Sequence, residues 1–193
     1  MSRVTALQSL LAACALLPGA AFAAPFAYVP NEKSATVSVI DTATDTVVRT
    51  LPGGQRPRGI ATDGRRLYVS EAPADGLAII DTTAEEPIRR IALGKSPEGI
   101  SVSGDRKLVA AAVEESNSVV LIEAATGRKL ADIKVRGKNP EHAVFSPDGR
   151  WLVAAGQQSG NVVVFKIDAS TGKLTPTGQT VEVPAAVCVI FGK

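Results

Sequence analysis

The sequence predicts an all-β protein: a β-propeller of four-stranded antiparallel blades, with about four blades. Three observations carry this. A short motif returns four times, with its proline at Pro57, Pro97, Pro140 and Pro184, 40, 43 and 44 residues apart, a period typical of propeller blades. Apolar, largely β-branched runs of four or five residues recur once in each period, the composition of strands buried on both faces. The two ends are also complementary. Residues 26–51 supply three strands and lack a proline strand, whereas Ala185–Ile190 is a proline strand with nothing after it. Joined, they would complete one blade, so the ring is expected to close through terminal strands that share it, leaving no open sheet edge.

Each strand follows from its own segment. The proline strands end in tight turns at Asp63-Gly64-Arg65, Gly104-Asp105-Arg106 and Pro147-Asp148-Gly149-Arg150, where Asp and Gly tolerate the positive φ of a hairpin. Second strands follow at Leu67-Tyr68-Val69, Leu108-Val109-Ala110 and Trp151-Leu152-Val153, matched earlier by Ala27-Tyr28-Val29. The third strands are the apolar runs Val37–Asp41, Leu77–Asp81, Val119–Glu123 and Val162–Lys166. Outer strands are expected over Thr46–Leu51, Pro87–Leu93, Lys129–Val135 and Lys173–Val183, the last with an intervening turn. One repeat cannot bury its own faces, so neighbouring blades must supply the core.

Residues 1–23 read as a secretory signal peptide. Arg3 precedes the apolar run Leu10–Leu17, and Ala21-Phe22-Ala23 fits a small-x-small cleavage site. The propeller domain is then 24–193, in the periplasm or secreted, with no membrane span in the mature chain. A minor alternative is a lipoprotein anchored through Cys14, because Leu11-Ala12-Ala13-Cys14 is similar to a lipobox. Residues 24–193 hold 20 basic against 19 acidic side chains, a balance that offers nothing to nucleic acid or an anionic membrane. Their only cysteine, Cys188, sits in an apolar run and is expected to be buried and unreactive.

The segments Ala27-Tyr28-Val29-Pro30-Asn31, Val37-Ser38-Val39-Ile40-Asp41-Thr42 and Arg56-Pro57-Arg58-Gly59-Ile60-Ala61 resemble the YVTN β-propeller repeats of secreted bacterial proteins. The stretch from Phe145-Ser146-Pro147-Asp148-Gly149-Arg150 through Asn161-Val162-Val163-Val164-Phe165 to Val187-Cys188 is similar to the last blade of lactonase-type propellers, the 6-phosphogluconolactonase family. Those families usually have seven blades. With four repeats, a closed four-bladed monomer or an open arc is expected ahead of a homodimer, and a shortened relative is also open. The resemblance implies lactone hydrolysis. Lactonase-type propellers often carry a basic residue after the last-blade proline, where this chain has Glu141.

In a propeller, the loops entering the innermost strands and those between second and third strands gather on one face, where sites assemble. The entering loops offer Arg56, Arg58, Lys95, Glu98, Lys138, Glu141 and His142 as candidate ligand-binding residues. The other set offers Asn31, Glu32, Glu71, Asp75, Glu114, Glu115, Asn117, Gln157 and Gln158. After the repeat proline stand Arg58, Glu98, Glu141 and Ala185. A base and two acids at equivalent positions can polarise a carbonyl and activate water; the structural alternative is a self-compensating ring of charge. His142, the single histidine, occupies the register of Gly59 and Gly99 and is a candidate for acid–base work or ligand contact. One histidine without a carboxylate cluster makes no metal site, and no cofactor is expected.

The function expected first is a binding or interaction module of the cell envelope, without chemistry of its own, whose partner is a small molecule or an envelope protein. The alternative is a lactonase-like hydrolase with Arg58, Glu98, Glu141 and His142 as catalytic candidates. A lower alternative is an accessory of a periplasmic quinone-dependent oxidation system.

Overall fold

A computed structural model describes residues 25–83, 87–168 and 171–192. The leader expected over residues 1–23, with Cys14, lies outside the described residues. The described residues form fifteen strands in four antiparallel sheets. The first blade has three: β1 (Phe26–Asn31), β2 (Thr36–Asp41) and β3 (Thr46–Pro52). The second runs β4 (Pro57–Thr62), β5 (Arg66–Glu71), β6 (Gly76–Asp81) and β7 (Pro87–Ala92). The third is β8 (Pro97–Val102), β9 (Leu108–Val113), β10 (Ser118–Glu123) and β11 (Lys129–Lys134). The fourth is β12 (Pro140–Phe145), β13 (Trp151–Gly156), β14 (Asn161–Ile167) and β15 (Leu174–Glu182). Each blade is a meander in which sequential strands pair, and the proline strands β4, β8 and β12 stand side by side.

The repeat buries itself between neighbours. Val37, Leu51, Leu67 and Ile80 form a core between the first and second blades; Tyr68, Leu77, Val109 and Val120 one between the second and third; Leu121, Leu152, Val163 and Phe165 one between the third and fourth. In the middle blades, β6 and β10 are buried along five successive residues, as two-sided burial requires. The end blades differ. In β2 only Val37 and Val39 are fully buried, and in β14 only Val163, Phe165 and Ile167, while Ile40, Val162 and Val164 on the opposite faces are half covered. Their apolar runs have a neighbour on one side only.

The expected joining of the two ends is not seen. β1 pairs with β2 alone, and residues 185–190 belong to no sheet. Local strand pattern says which residues form a blade, but the angle between blades decides whether four of them meet, and here they form an open arc. Cys188 also departs from expectation: no blade covers it, and it is exposed rather than buried. The turn expected within the last outer strand appears as a register shift between Val163 and Phe165, beside one continuous strand.

Candidate functional site

The candidate site lies where the three inner strands begin. The residue before each of the first three repeat prolines is left-handed: Arg56 has φ 44°, Ser96 φ 55° and Asn139 φ 53°. A following proline disfavours helical backbone, and non-glycine residues in this region cost roughly 1–3 kcal/mol each. Just after each proline the ladder slips, between Pro57 and Ile60, Pro97 and Ile100, and Pro140 and His142. Such bulges re-aim side chains. The slipped residues are Arg58, Glu98 and Glu141, so one irregularity repeated three times brings the residues after the prolines together at one end of the arc.

Arg58 Nη1 donates to Glu98 Oε1 at 2.6 Å across the blade boundary. Glu98 is 7% exposed. Its Oε1 also accepts from Ser96 Oγ at 3.1 Å, and Ser96 Oγ lies 2.9 Å from Glu114 Oε2. Asn139 Nδ2 donates to Glu114 Oε1 at 2.8 Å, and the Asn139 N–H donates to Asn117 Oδ1 at 2.9 Å. The left-handed residues therefore aim their polar side chains into a chain of carboxylates. Arg56 extends it outward to Glu32 through an Nε–Oε1 bond of 3.0 Å.

The electrostatics follow from this crowding. Burial raises the Glu141 carboxyl above its ordinary range, the negative charges of Glu98 and Glu114 add to that, and Arg58 opposes it. Glu98 in turn holds the Arg58 guanidinium more firmly protonated. Burial lowers His142, partly offset by a hydrogen bond with the Val189 backbone; separately, the Val189 N–H donates to Nδ1 at 3.4 Å. That bond assigns the neutral ring its proton on Nε2. Cys188 Sγ lies 3.8 Å from the same Nδ1.

His142 stands in a glycine register for a steric reason. A Cβ on Gly59 would lie 2.1 Å from the Glu98 carbonyl oxygen, and one on Gly99 would lie 2.4 Å from His142 Cδ2, because the next inner strand passes close by. Beyond β12 the imidazole meets the segment at Cys188 and Val189, and a side chain fits.

Of the residues expected from sequence, the structure gathers Arg58, Glu98 and Glu141 and places His142 beside them. Arg56 sits at the rim with Glu32. Lys95 is turned outward toward Glu115 at 3.9 Å, and Lys138 is exposed. Glu71 is structural: it is buried, accepting from the Gln55 N–H at 2.9 Å and from Arg90. Glu114, from the second set of loops, joins the cluster. Ser96 and Asn139 were not singled out by sequence, although both occupy the Arg56 register immediately before a repeat proline.

A cavity of about 790 Å³ lies at the opposite end of the strands, between the turns of the third and fourth blades, with Leu108, Leu130, Phe145 and Ile167 in its wall. Its Asp105 and Asp148 are engaged within their own turns by Ser103 and Ser146. The crowded, raised carboxyl of Glu141 belongs to the proline end. Among the described residues no cluster of three His, Cys, Asp or Glu side chains is placed to hold a metal ion.

Residues 126–191 match the family described as "Lactonase, 7-bladed beta-propeller". A 6-phosphogluconolactonase of Bacillus subtilis is 42% identical over 59 residues, 31% of this chain and 17% of that protein. The periplasmic gluconolactonase PpgL of Pseudomonas aeruginosa superposes with a TM-score of 0.72 at 21% identity, covering 86% of this chain and 54% of that one. Hydrazine synthase of Kuenenia stuttgartiensis superposes with a TM-score of 0.71 at 26% identity, covering 81% and 46%. The chain thus spans about half the length of these solved structures and matches less than a fifth of the curated relative. The matches support a lactonase-like propeller. They overturn the first functional expectation, a module without chemistry, because the family match and the curated relative both carry lactonase names and favour the hydrolase alternative.

Proposed function

We propose that this chain hydrolyses neutral sugar lactones or related lactones. One observation carries the reading: on three consecutive inner strands, Arg58 and Glu98 pair at 2.6 Å, and Glu141 lies near enough to feel the charge of both. The lactonase match over residues 126–191 supports it and contains Glu141.

The arrangement supplies two catalytic elements. Glu141, its carboxyl raised by burial and by its acidic neighbours and so made a stronger base, takes a proton in its carboxylate form from water as the water oxygen attacks the lactone carbonyl. Arg58, oriented by Glu98, faces the oxyanion that forms. Collapse breaks the ring C–O bond, and the departing alkoxide takes the proton back from Glu141, leaving a hydroxy acid and a regenerated carboxylate. His142, neutral and held through Nδ1, positions the strand from which Glu141 projects.

Charge narrows the substrate. Within the cluster Glu32, Glu98, Glu114 and Glu141 outnumber Arg56 and Arg58, with Lys95 and Lys138 turned to the rim, so the cluster itself suits an uncharged lactone better than a phosphorylated one. Export through the 1–23 leader into the periplasm is part of the same proposal, since unphosphorylated aldonolactones are accessible outside the cytoplasm.

The test is hydrolysis of glucono-δ-lactone by the purified chain, followed in a pH-stat near pH 6, where spontaneous opening is slow. Turnover is expected, and Glu141→Gln should reduce it by about 10²–10⁴, the usual contribution of a general base. No rate above background on a panel of neutral lactones would overturn the reading.

A further inference from the structure

The cavity of about 790 Å³ at the turn end of the strands is a departure from the repeat. Arg66 begins β5 opposite Asp81, and Leu108 begins β9 opposite Glu123, so the two hold the same place in successive blades. Where the second blade meets the third, Arg66 closes the seam: its Nη1 donates to the Ala124 carbonyl oxygen at 2.6 Å, and its Nη2 pairs with Asp63 at 2.8 Å. A space of about 120 Å³ is left there. Where the third blade meets the fourth, Leu108 has no such group to offer, and the seam is open.

The outer turns show the same difference. Gly127 and Gly172 end equivalent turns, each N–H donating to the carbonyl four residues back, Glu123 or Asp168, at 2.8 Å. A Cβ on Gly127 would lie 3.0 Å from Arg89 Cδ, whereas on Gly172 its nearest neighbours would be Leu108 Cδ2 and Leu130 Cδ1 at 3.6 and 3.7 Å. Arginine stems fill one seam, and leucines line the other. With Phe145 and Ile167 they make an apolar wall at the open end of the core between the third and fourth blades. The volume suits a small organic molecule, whose pockets run to about 300–1,000 Å³.

The polar groups around the wall decide the charge of the occupant. Its four carboxylates are held by their own turns. Asp105 accepts from Ser103 Oγ at 2.7 Å and Asp148 from Ser146 Oγ at 2.6 Å. Asp168 accepts from the Thr171 N–H and hydroxyl, and Glu123 from Thr126 Oγ1 and, at 3.5 Å, from Arg128. Arg66 is engaged by Asp63 and Ala124. By contrast, Arg106 is exposed and makes no side-chain hydrogen bond or ion pair among the described residues. Lys107 Nζ stands 3.8 Å from Asp105 Oδ2, too far for a hydrogen bond. The acceptors are occupied, and donors on two adjacent cations are not. We propose that this cleft is a second ligand site, taking an organic anion whose apolar ring or chain lies against Leu108, Leu130, Phe145 and Ile167 and whose carboxylate or sulfonate meets Arg106 and Lys107. It stands at the other end of the strands from Glu141 and is independent of the hydrolase reading.

The test is a fluorescence titration of the purified protein with anilinonaphthalene sulfonate, an anion on an apolar body. Saturable binding is expected, displaced by naphthoate and much less by naphthamide, its uncharged counterpart. Leu108→Arg, which restores the side chain of the preceding blade, should abolish the saturable component. Should Leu108→Arg fold poorly, the double variant Arg106→Gln, Lys107→Gln changes exposed positions and should weaken binding of the anion by about tenfold, the usual effect of losing a charged hydrogen bond. Unchanged binding in either variant would overturn the proposal. So would equal displacement by naphthamide, which means a purely apolar site, or a dimer in light scattering that Leu108→Arg dissociates, which means that a second copy fills the cleft.

Discussion

Arg58 and Glu98 are forty residues apart and belong to adjacent blades, yet their side chains meet at 2.6 Å. The separation is one repeat of the motif, so the contact joins the same position in successive units and ties the blade boundary to the site. Glu98 is nearly buried, while the Arg58 side chain is 39% exposed. Glu98→Gln keeps the shape and removes the charge. Arg58 can then turn into solvent, so the stability loss should be modest, about 1 kcal/mol by urea denaturation, at the upper end of values for partly exposed pairs. Lactone turnover should fall much further, because the guanidinium loses its aim. An unchanged kcat/KM would separate the pair from the chemistry.

Ser96 carries opposed effects that two substitutions can separate. Its hydroxyl bridges Glu98 and Glu114, and its backbone stands at φ 55°. Ser96→Ala loses the hydroxyl and keeps the backbone strain. Ser96→Gly loses the same hydroxyl but relieves the strain, since glycine reaches positive φ at no steric cost. The glycine variant should therefore be the more stable of the two by about 1 kcal/mol in denaturant melts, while both lose activity alike. Equal stabilities would mean that the backbone relaxes once the hydroxyl is gone.

Glu141 links activity to stability with opposite signs. Its folded carboxyl titrates above 4.5, so between 4.5 and that higher value the folded state holds more protons than the unfolded state. Stability contributed at this site is therefore present below pH 4.5 and is lost as pH rises through the folded value. Glu141→Gln removes the penalty, and the variant should be more stable than the parent at pH 7, with the advantage vanishing near pH 4. Activity should run the other way in the parent, falling as acid protonates the base. Thermal melts at the two pH values beside pH-stat rates check both arms.

The legible and illegible parts divide by range. Blade boundaries could be read from Pro57, Pro97 and Pro140 because proline, a tight turn and an apolar run are local signals with local causes. Arg58, Glu98 and Glu141 could be picked out by their common place after those prolines. Ser96 and Asn139 could not, since their role depends on left-handed backbone before proline, a conformation that local preference argues against. The closure was read wrongly for a different reason: Ala185–Ile190 has the pattern of an inner strand, but pairing depends on where β1 lies after three blade-to-blade rotations. Cys188 was read as buried from that same pattern, and it is exposed because the partner strand is not there.

Gly99 and His142 provide a last check on the close packing of inner strands. A Cβ at Gly99 would meet His142 Cδ2 at 2.4 Å and the Glu141 carbonyl oxygen at 2.6 Å. The ring can swing aside, but the carbonyl belongs to the backbone of β12 and cannot move without pulling Glu141 with it. Gly99→Ala should therefore be among the more damaging small substitutions in the chain, at about 1–3 kcal/mol for an overpacked site, and should depress turnover through the displaced carboxylate. Adding His142→Ala to it should recover only the part due to the ring. A double variant restored to the stability of His142→Ala alone would show that the imidazole, rather than the strand, sets the spacing. The single histidine makes the structural readout clean: its proton resonance should titrate below 6.5 in the parent and shift toward that value where the packing over Gly99 is lost.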